Sequence, residues 1–417
     1  MNIVNNTKVF SNRFEVEITD AMKDYTKESF YYEVEDMDIS EIPIEILQIP
    51  FILNILPVVW LSGLKLSIDS IDKNFYESIK VLQKVFQSMY PQVKFDGELS
   101  SENIVDIKFQ TNNNSATLLF SGGLDSLTSM YRHIDENLIL VSLQGADIQL
   151  EDKKAWSRVH NLVDGYLEHN KNLSTCFINS NFKTFLNHKK IKTICSLEWW
   201  GNVQHGMGMI SFMSIPAYIY GASVGYIASG YSNKFKDVSW GSAPKIDNNT
   251  YWSNFKAIHD SFDMNRQDKV NFIVKYKAQH NIFIKPRVCF SSIGAMNCCK
   301  CGKCVITISG LLAANANYKD YGFDIEENEF IRSVKSSMKE NKFRSFSSLL
   351  SISLWKEIQD DIKSIEEYNH SKELLEYLTW FKNFDFDKQH EIQKKVAARK
   401  RFFRNIEKKI VSVFRGK

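Results

Sequence analysis

Ser121, Gly122, Gly123, Asp125 and Ser126 fall within one short stretch, LLFSGGLDSLTSM, that follows an apolar run and precedes residues at helical spacing. Glycines at a strand-to-helix joint let the main chain curl until several N–H groups converge. The first N–H groups of a helix lack internal partners and lie at its positive end, so such a corner suits phosphate. Phe120 ends the strand and Leu124 starts the helix. Ser121 and Ser126 add hydroxyl donors from either side, and Asp125, in the first turn, is placed to cap loop N–H groups or to hold a magnesium-bound water. No Gly-Lys-Ser/Thr follows the glycines and no Gly-x-Gly-x-x-Gly is present, which excludes the Walker A loop and the dinucleotide fingerprint.

Five of the seven cysteines lie between Cys289 and Cys304. Cys289, Cys298, Cys301 and Cys304 are separated by eight, two and two residues. Cys-x2-Cys spacings put thiolates on a tight turn that grips a tetrahedral ion at metal–sulfur distances of about 2.3 Å. The N-terminus has no cationic start followed by an apolar core, so no export signal is expected and crowded cysteines favour metal thiolates over disulfides. Four thiolates leave no open coordination position, so the expectation is a structural Zn2+, ahead of an iron–sulfur cluster or plain buried cysteines. Lys285, Arg287, Lys300 and Lys303 are near in sequence to offset the negative charge. Cys299 is a fifth thiol that replaces Cys298 only by breaking the two-residue spacing.

Other groups carry weaker signals. Gly230, Tyr231, Ser232, Asn233 and Lys234 follow a strand end, where α/β sheets place ligands, and are expected to line a substrate pocket. His205 and Gln204 precede a Gly-rich helix start within reach of substrate or ribose, although a lone histidine is more often structural. Trp199, Trp200 and Trp240 have the rings to stack a base, yet adjacent tryptophans usually pack a junction. KKVAARKRFFRNIEKK, Lys394 to Lys409, has the composition of a nucleic-acid grip. Its apolar residues share a helical face, which favours a docked helix with a wet basic side.

These residues need elements to hold them. Residues 1–112 read as a mixed α+β unit: RFEVEIT alternates like a half-buried strand, WLSGLKLSID is a second candidate, and NFYESIKVLQKVFQSMY is helical. QTNNNSAT marks a junction. Beyond it the apolar runs ATLLF, LILVSL, LSTCFIN, VGYIASG and NIFIKPRVCF alternate with helices expected over 124–133, 154–167 and 207–220. Strands apolar at consecutive positions, alternating with helices, imply an α/β fold with a parallel sheet covered on both faces. From Thr307 onward only helical spacing is found, so the expected domains are 1–112, 113–315 and 316–417.

Composition is that of an ordinary soluble protein, with 24% charged residues and a net charge of +3, and it names no partner. The charge is uneven: residues 1–50 hold eleven acidic and four basic side chains, whereas Lys394 to Lys417 hold ten basic and one acidic. The charge-free run Ile46 to Leu64 is interrupted by Gln48, Pro50, Asn54, Pro57 and Ser62, which favours buried core over a membrane span.

The string Ser-Gly-Gly-x-Asp-Ser after an apolar strand resembles the PP-loop of the N-type ATP pyrophosphatases. With Cys-x8-Cys-x2-Cys-x2-Cys downstream, it is similar to the 7-cyano-7-deazaguanine synthase (QueC) family. HGMGMISFMSIPAYIYGASVGYIASGYSN, His205 to Asn233, looks like that family's helix followed by the strand whose end lines the base pocket. The resemblance spans roughly residues 115 to 315. It implies an adenine nucleotide alpha hydrolase-like fold with a five-stranded parallel sheet. ATP and Mg2+ would sit at Phe120, Ser121, Gly122, Gly123, Leu124, Asp125 and Ser126, with Ser121, Asp125 and Ser126 catalytic. Zn2+ would sit on Cys289, Cys298, Cys301 and Cys304, and the substrate on Gly230, Tyr231, Asn233, Lys234 and His205.

The implied reaction adenylates 7-carboxy-7-deazaguanine, releases pyrophosphate and adds an amine. The family's Tyr-Pro-Asp-Cys-Arg string is missing and VSWGSAPKID, Val238 to Asp247, stands in its place, so the pocket floor has been rebuilt. The extra residues on both sides resemble the enlarged QueC-like proteins of antiphage systems, such as QatC and the QueC-like component of CBASS operons. That implies a cytoplasmic setting and either ammonia or a protein of the same operon as amine donor. Two rivals stand beside this reading: a PP-loop enzyme that thiolates tRNA, and a non-catalytic component whose nucleotide site only stabilises a complex.

Overall fold

The computed structural model describes residues 3–289, 296–339, 349–396 and 398–399. Its strands are β1 (Val4–Val9), β2 (Arg13–Ile18), β3 (Phe30–Val34), β4 (Lys65–Asp72), β5 (Glu98–Val105), β6 (Ser115–Leu119), β7 (Asn137–Gln144), β8 (Leu173–Ser180), β9 (Val224–Ala228), β10 (Tyr251–Trp252) and β11 (Phe255–Asp260). Nine of them form one mixed sheet in the order β1-β2-β3-β8-β7-β6-β9-β11-β10, and β4 pairs in parallel with β5 apart from it. The stretch β8-β7-β6-β9-β11 is parallel throughout, while β1 to β3 join the β8 edge antiparallel.

The parallel portion has five strands, but the fifth is not the expected one. NIFIKPRVCF forms no strand over its described residues 281–289. Pro286 has no N–H to give a ladder. Its carbonyl instead accepts from Asn297 Nδ2 and Val288 N–H donates to Asn297 Oδ1, at 2.9 and 3.0 Å. The edge of β9 is filled by FKAIHD, in register from Lys256 opposite Val224 to Asp260 opposite Ala228. β6 and β7 are buried at nearly every position, as strands covered on both faces must be.

Two compact units divide the chain, residues 1–263 and 264–417. The expected boundaries at 112 and 315 do not coincide with that division. The N-terminal strands complete the central sheet, and helix Ile49–Ser62 is buried at twelve positions within a core shared with Leu119, Ile139 and Ile178. A helix apolar on all sides has to be enclosed, which merges the first segment with the next. Its interruptions serve this packing: Asn54 Nδ2 donates to the carbonyls of Pro50 and Gly208, and Asn54 Oδ1 accepts from Gln204 Nε2 at 2.8 Å. Among the described residues no helix is long and apolar enough to cross a membrane.

Helices Leu124–Arg132 and Lys153–Leu167 lie within a residue of expectation. The third expected helix is broken into His205–Ile210 and Ser214–Tyr220 by a 3-10 turn at Ser211–Met213, because Pro216 cannot donate to the carbonyl four residues earlier. In the second unit the described residues are helical with no strand: Arg266–His280, Gly302–Ala313, Glu327–Lys339, Leu349–Asp361 and Lys372–Lys382. Phe330 against Tyr377 and Trp355 against Phe381 pack its interior. Most of the basic segment Lys394 to Lys409 lies outside the described residues.

Candidate functional site

β6 is the place where the strand order reverses. The chain runs outward from it through β7 and β8 and returns to place β9 and β11 on its other side. Connections diverge there, at the C-terminal ends of β6 and β9, which is where open α/β sheets place ligands. The stretch Ser121–Ser126 occupies that point. Phe120 N–H still donates to Val141 O, and Ser142 Oγ holds Phe120 O at 2.9 Å, so the strand is clamped up to its last residue. Gly122 then turns with φ +71°, a conformation that penalises any side chain, and Gly123 caps the helix.

Within the corner, Ser126 Oγ donates to Gly123 O at 3.1 Å, and the Ser121 and Ser126 hydroxyls lie 3.5 Å apart. Ser121 is exposed and Asp125 partly so, while Leu124 anchors the helix start in the core. The corner is therefore a tight turn in which Gly122 is buried and Gly123 N–H donates to Ser121 Oγ at 3.3 Å, with two hydroxyls and a carboxylate beside the helix start. The helix behind it is pinned at its far end. Ser129 Oγ donates to Asp260 Oδ2 at 2.5 Å, His133 Nε2 lies 3.2 Å from Asp260 Oδ1, and His133 Nδ1 lies 2.8 Å from Glu136. Burial pushes the His133 pKa down, but Asp260 and Glu136 outweigh it and leave it raised. Asp260 itself is pushed up by burial and brought lower overall by His133 and Ser129. None of Ser129, His133 or Asp260 carries a sequence motif, so pattern reading passed over them.

The expected substrate residues are only partly brought together. Gly230, Asn233 and Lys234 are exposed beyond the end of β9, and an added Cβ at Gly230 would meet nothing within 4 Å. Tyr231 turns inward instead, buried, with its hydroxyl 3.4 Å from Ser242 O. The ring of His205 sits between Trp200 and Trp240, with centroids 5.0 and 5.8 Å away, so these tryptophans wall a histidine. Gln204 is fully buried and bonded to Asn54, Phe182 O and Trp199, a structural assignment.

The four cysteines converge in the second unit. Asn297 ties the Pro286–Val288 segment to the turn that carries Cys298, Cys301 caps helix Gly302–Ala313, and Cys304 lies in that helix's first turn. All four sulfurs lie within 4.8 Å of one another, with Cys301 at 3.5 Å from Cys304 and 3.8 Å from Cys289, and Cys298 at 3.9 Å from Cys304. Tetrahedral thiolates at ~2.3 Å from an ion stand about 3.8 Å apart, so the cluster fits a metal such as zinc. The hydrogen bond between Cys301 and Cys304 holds the Cys301 thiol down and pushes Cys304 up. Cys299, at φ +57°, turns its sulfur toward Asn297 O and stays outside the set, its thiol pushed up to about 11 by burial. Lys300 pairs with Glu329 at 2.8 Å.

Searches with the chain against family models, curated proteins and solved structures returned no match.

Proposed function

We propose that the chain is an ATP-dependent ligase of the QueC-like PP-loop type. It adenylates 7-carboxy-7-deazaguanine or a related acid, releases pyrophosphate and joins the acyl group to ammonia or a protein amine, in the setting of antiphage defence. The observation that carries this reading is the placement of Ser-Gly-Gly-Leu-Asp-Ser at the strand-order reversal, with Gly122 in the left-handed conformation and a helix start directly behind it. Main-chain N–H groups there are suited to charge developing on a departing pyrophosphate. Phe120 to Ser126 would hold the outer phosphates, and Asp125 the magnesium through water. Gly230, Asn233 and Lys234, exposed beyond β9, would meet the acid.

A carboxylate must be activated because its own leaving group would be oxide, and an acyl adenylate leaves as AMP. Zinc on Cys289, Cys298, Cys301 and Cys304 would be structural, with no coordination position left for chemistry. The test is direct. Purified protein with ATP and 7-carboxy-7-deazaguanine is expected to form AMP and pyrophosphate, and Ser121→Ala or Asp125→Ala to stop it. ADP as the product, or undiminished turnover in both variants, would refute the assignment.

A further inference from the structure

On the sheet face opposite helix Leu124–Arg132 lies a buried acid–base cluster that the phosphate corner does not use. Tyr226 of β9 stacks on His133 of that helix, so its neighbour Ile227 points the other way, and His259 is opposite Ile227 in register. Neither His259 nor Asp247 has any side-chain exposure, and His259 Nδ1 donates to Asp247 Oδ2 at 2.7 Å. Ser242 Oγ donates to the same oxygen at 2.7 Å, and the His259 main-chain N–H donates to Asn248 Oδ1. A neutral ring that gives its Nδ1 hydrogen to the carboxylate leaves Nε2 as its acceptor.

Among the described residues, that Nε2 is buried with no hydrogen-bond partner, as are Asp247 Oδ1 and the hydroxyls of Ser232 and Ser261. Ser229 N–H donates to Asp260 O and Asn233 N–H to Phe262 O, which runs the chain ends carrying Ser232 and Ser261 side by side, and the rings of Tyr231 and Phe262 lie 6.1 and 5.3 Å from the imidazole. An interior polar atom left unpartnered carries the full cost of its lost hydration. An unpartnered acceptor on an oriented imidazole at this strand end points to a group that arrives and donates. Gly230, with open space beside it, lies at the same strand end, and with β9 between β11 and β6 the strand of His259 is about 10 Å from that of the phosphate corner at ~4.8 Å per strand.

We infer that Asp247 and His259 are the proton-accepting couple of this end of the sheet, with His259 Nε2 taking the proton that an amine sheds as it becomes an amide nitrogen. Asp247 holds the ring tautomer and stabilises the imidazolium that forms. This rests on the ligase reading above. The nitrogen lone pair of a neutral amine attacks the carbonyl carbon of the acyl adenylate and a C–N bond forms. The bond from that carbon to the AMP oxygen breaks, its electron pair leaves with AMP, and one N–H proton passes to Nε2. The rebuilt segment Val238 to Asp247 supplies both Ser242 and Asp247, which gives that departure from the family pattern a chemical role.

The two half-reactions separate the inference from its basis. Acid-dependent exchange of pyrophosphate into ATP, with 7-carboxy-7-deazaguanine, reports adenylation, and amide formed with ammonium, read by mass spectrometry, reports amine transfer. In His259→Gln, exchange is expected to persist while amide formation falls about 10²- to 10⁴-fold. Asp247→Asn, which preserves shape, is expected to fall in the same half only, and it decides the matter if His259→Gln does not fold. Added imidazole is expected to restore part of the amide formation in His259→Gly. Equal loss in both halves, or no response to imidazole, would overturn the couple. Absence of exchange in the native protein would overturn the ligase reading, and the couple with it.

Discussion

Gly122 allows the phosphate corner to be tested quantitatively, because the first unit contains a matched control. Gly122 has φ +71°, and Gly63, which closes helix Ile49–Ser62, has φ +67° with nothing within 4 Å of an added Cβ. Alanine in the left-handed conformation costs about 1–2 kcal/mol. Both Gly122→Ala and Gly63→Ala are therefore expected to lower thermal stability by a similar amount, about 2–4 °C per kcal/mol for a unit of this size. The two differ in what relieves the strain. At Gly122 the loop can straighten, which spreads the main-chain N–H groups apart, and on the proposed ligase reading ATP would then restore the curl and bear its cost. The loss of affinity is bounded by the strain, about 5- to 30-fold at 1.4 kcal/mol per tenfold. Gly63 closes a buried helix and takes no part in the corner, so its alanine variant is expected to bind ATP as the native chain does. Isothermal titration calorimetry with magnesium-ATP, beside melting curves, measures both quantities. A Gly122→Ala dissociation constant within twofold of native, or equal weakening in Gly63→Ala, would refute the reasoning.

Elemental analysis is expected to find one zinc per chain, lost in Cys301→Ala and kept in Cys299→Ala, whose sulfur faces Asn297 O; retention in the first or loss in the second would sink the ligand assignment. Because the His133 pKa is raised in the fold, its pairing with Asp260 and Glu136 stabilises fully below the ordinary histidine value near 6.5 and is lost as pH rises through the folded value. The lowered Asp260 pKa acts in the opposite direction, with stability lost on acidification below the ordinary value of 3.8. Melting curves from pH 5 to 9 are expected to show a decline across the histidine range that His133→Gln flattens, and an unchanged slope in that variant would remove His133 as its source.

Much of the site's skeleton was legible because it is local. The glycine pair between an apolar strand and helical spacing placed the Ser121–Ser126 corner, and Cys-x2-Cys spacings picked out the four sulfurs that converge. Apolar runs located β6, β7, β8 and β9, most plainly β6 and β7, since strands covered on both faces have no room for alternation. The fifth parallel strand was missed for the converse reason. FKAIHD is short, carries Lys256 and ends in His-Asp, and nothing local distinguishes it from a turn. NIFIKPRVCF has the apolar look of a strand but carries Pro286 and gives its hydrogen bonds to Asn297.

The amino-acid sequence by itself determined which segments curl, which are buried on every side and which sulfurs share a turn, because these follow from dihedral preference, burial period and spacing within a few residues. Only tertiary structure decided that β1 to β3 complete the central sheet and that FKAIHD fills the edge of β9. It alone brought Asp247 against His259, twelve residues apart with a hairpin between them. Those outcomes depend on which edge is open and which polar atom lacks a partner once everything else has packed, and no short window of residues contains that information.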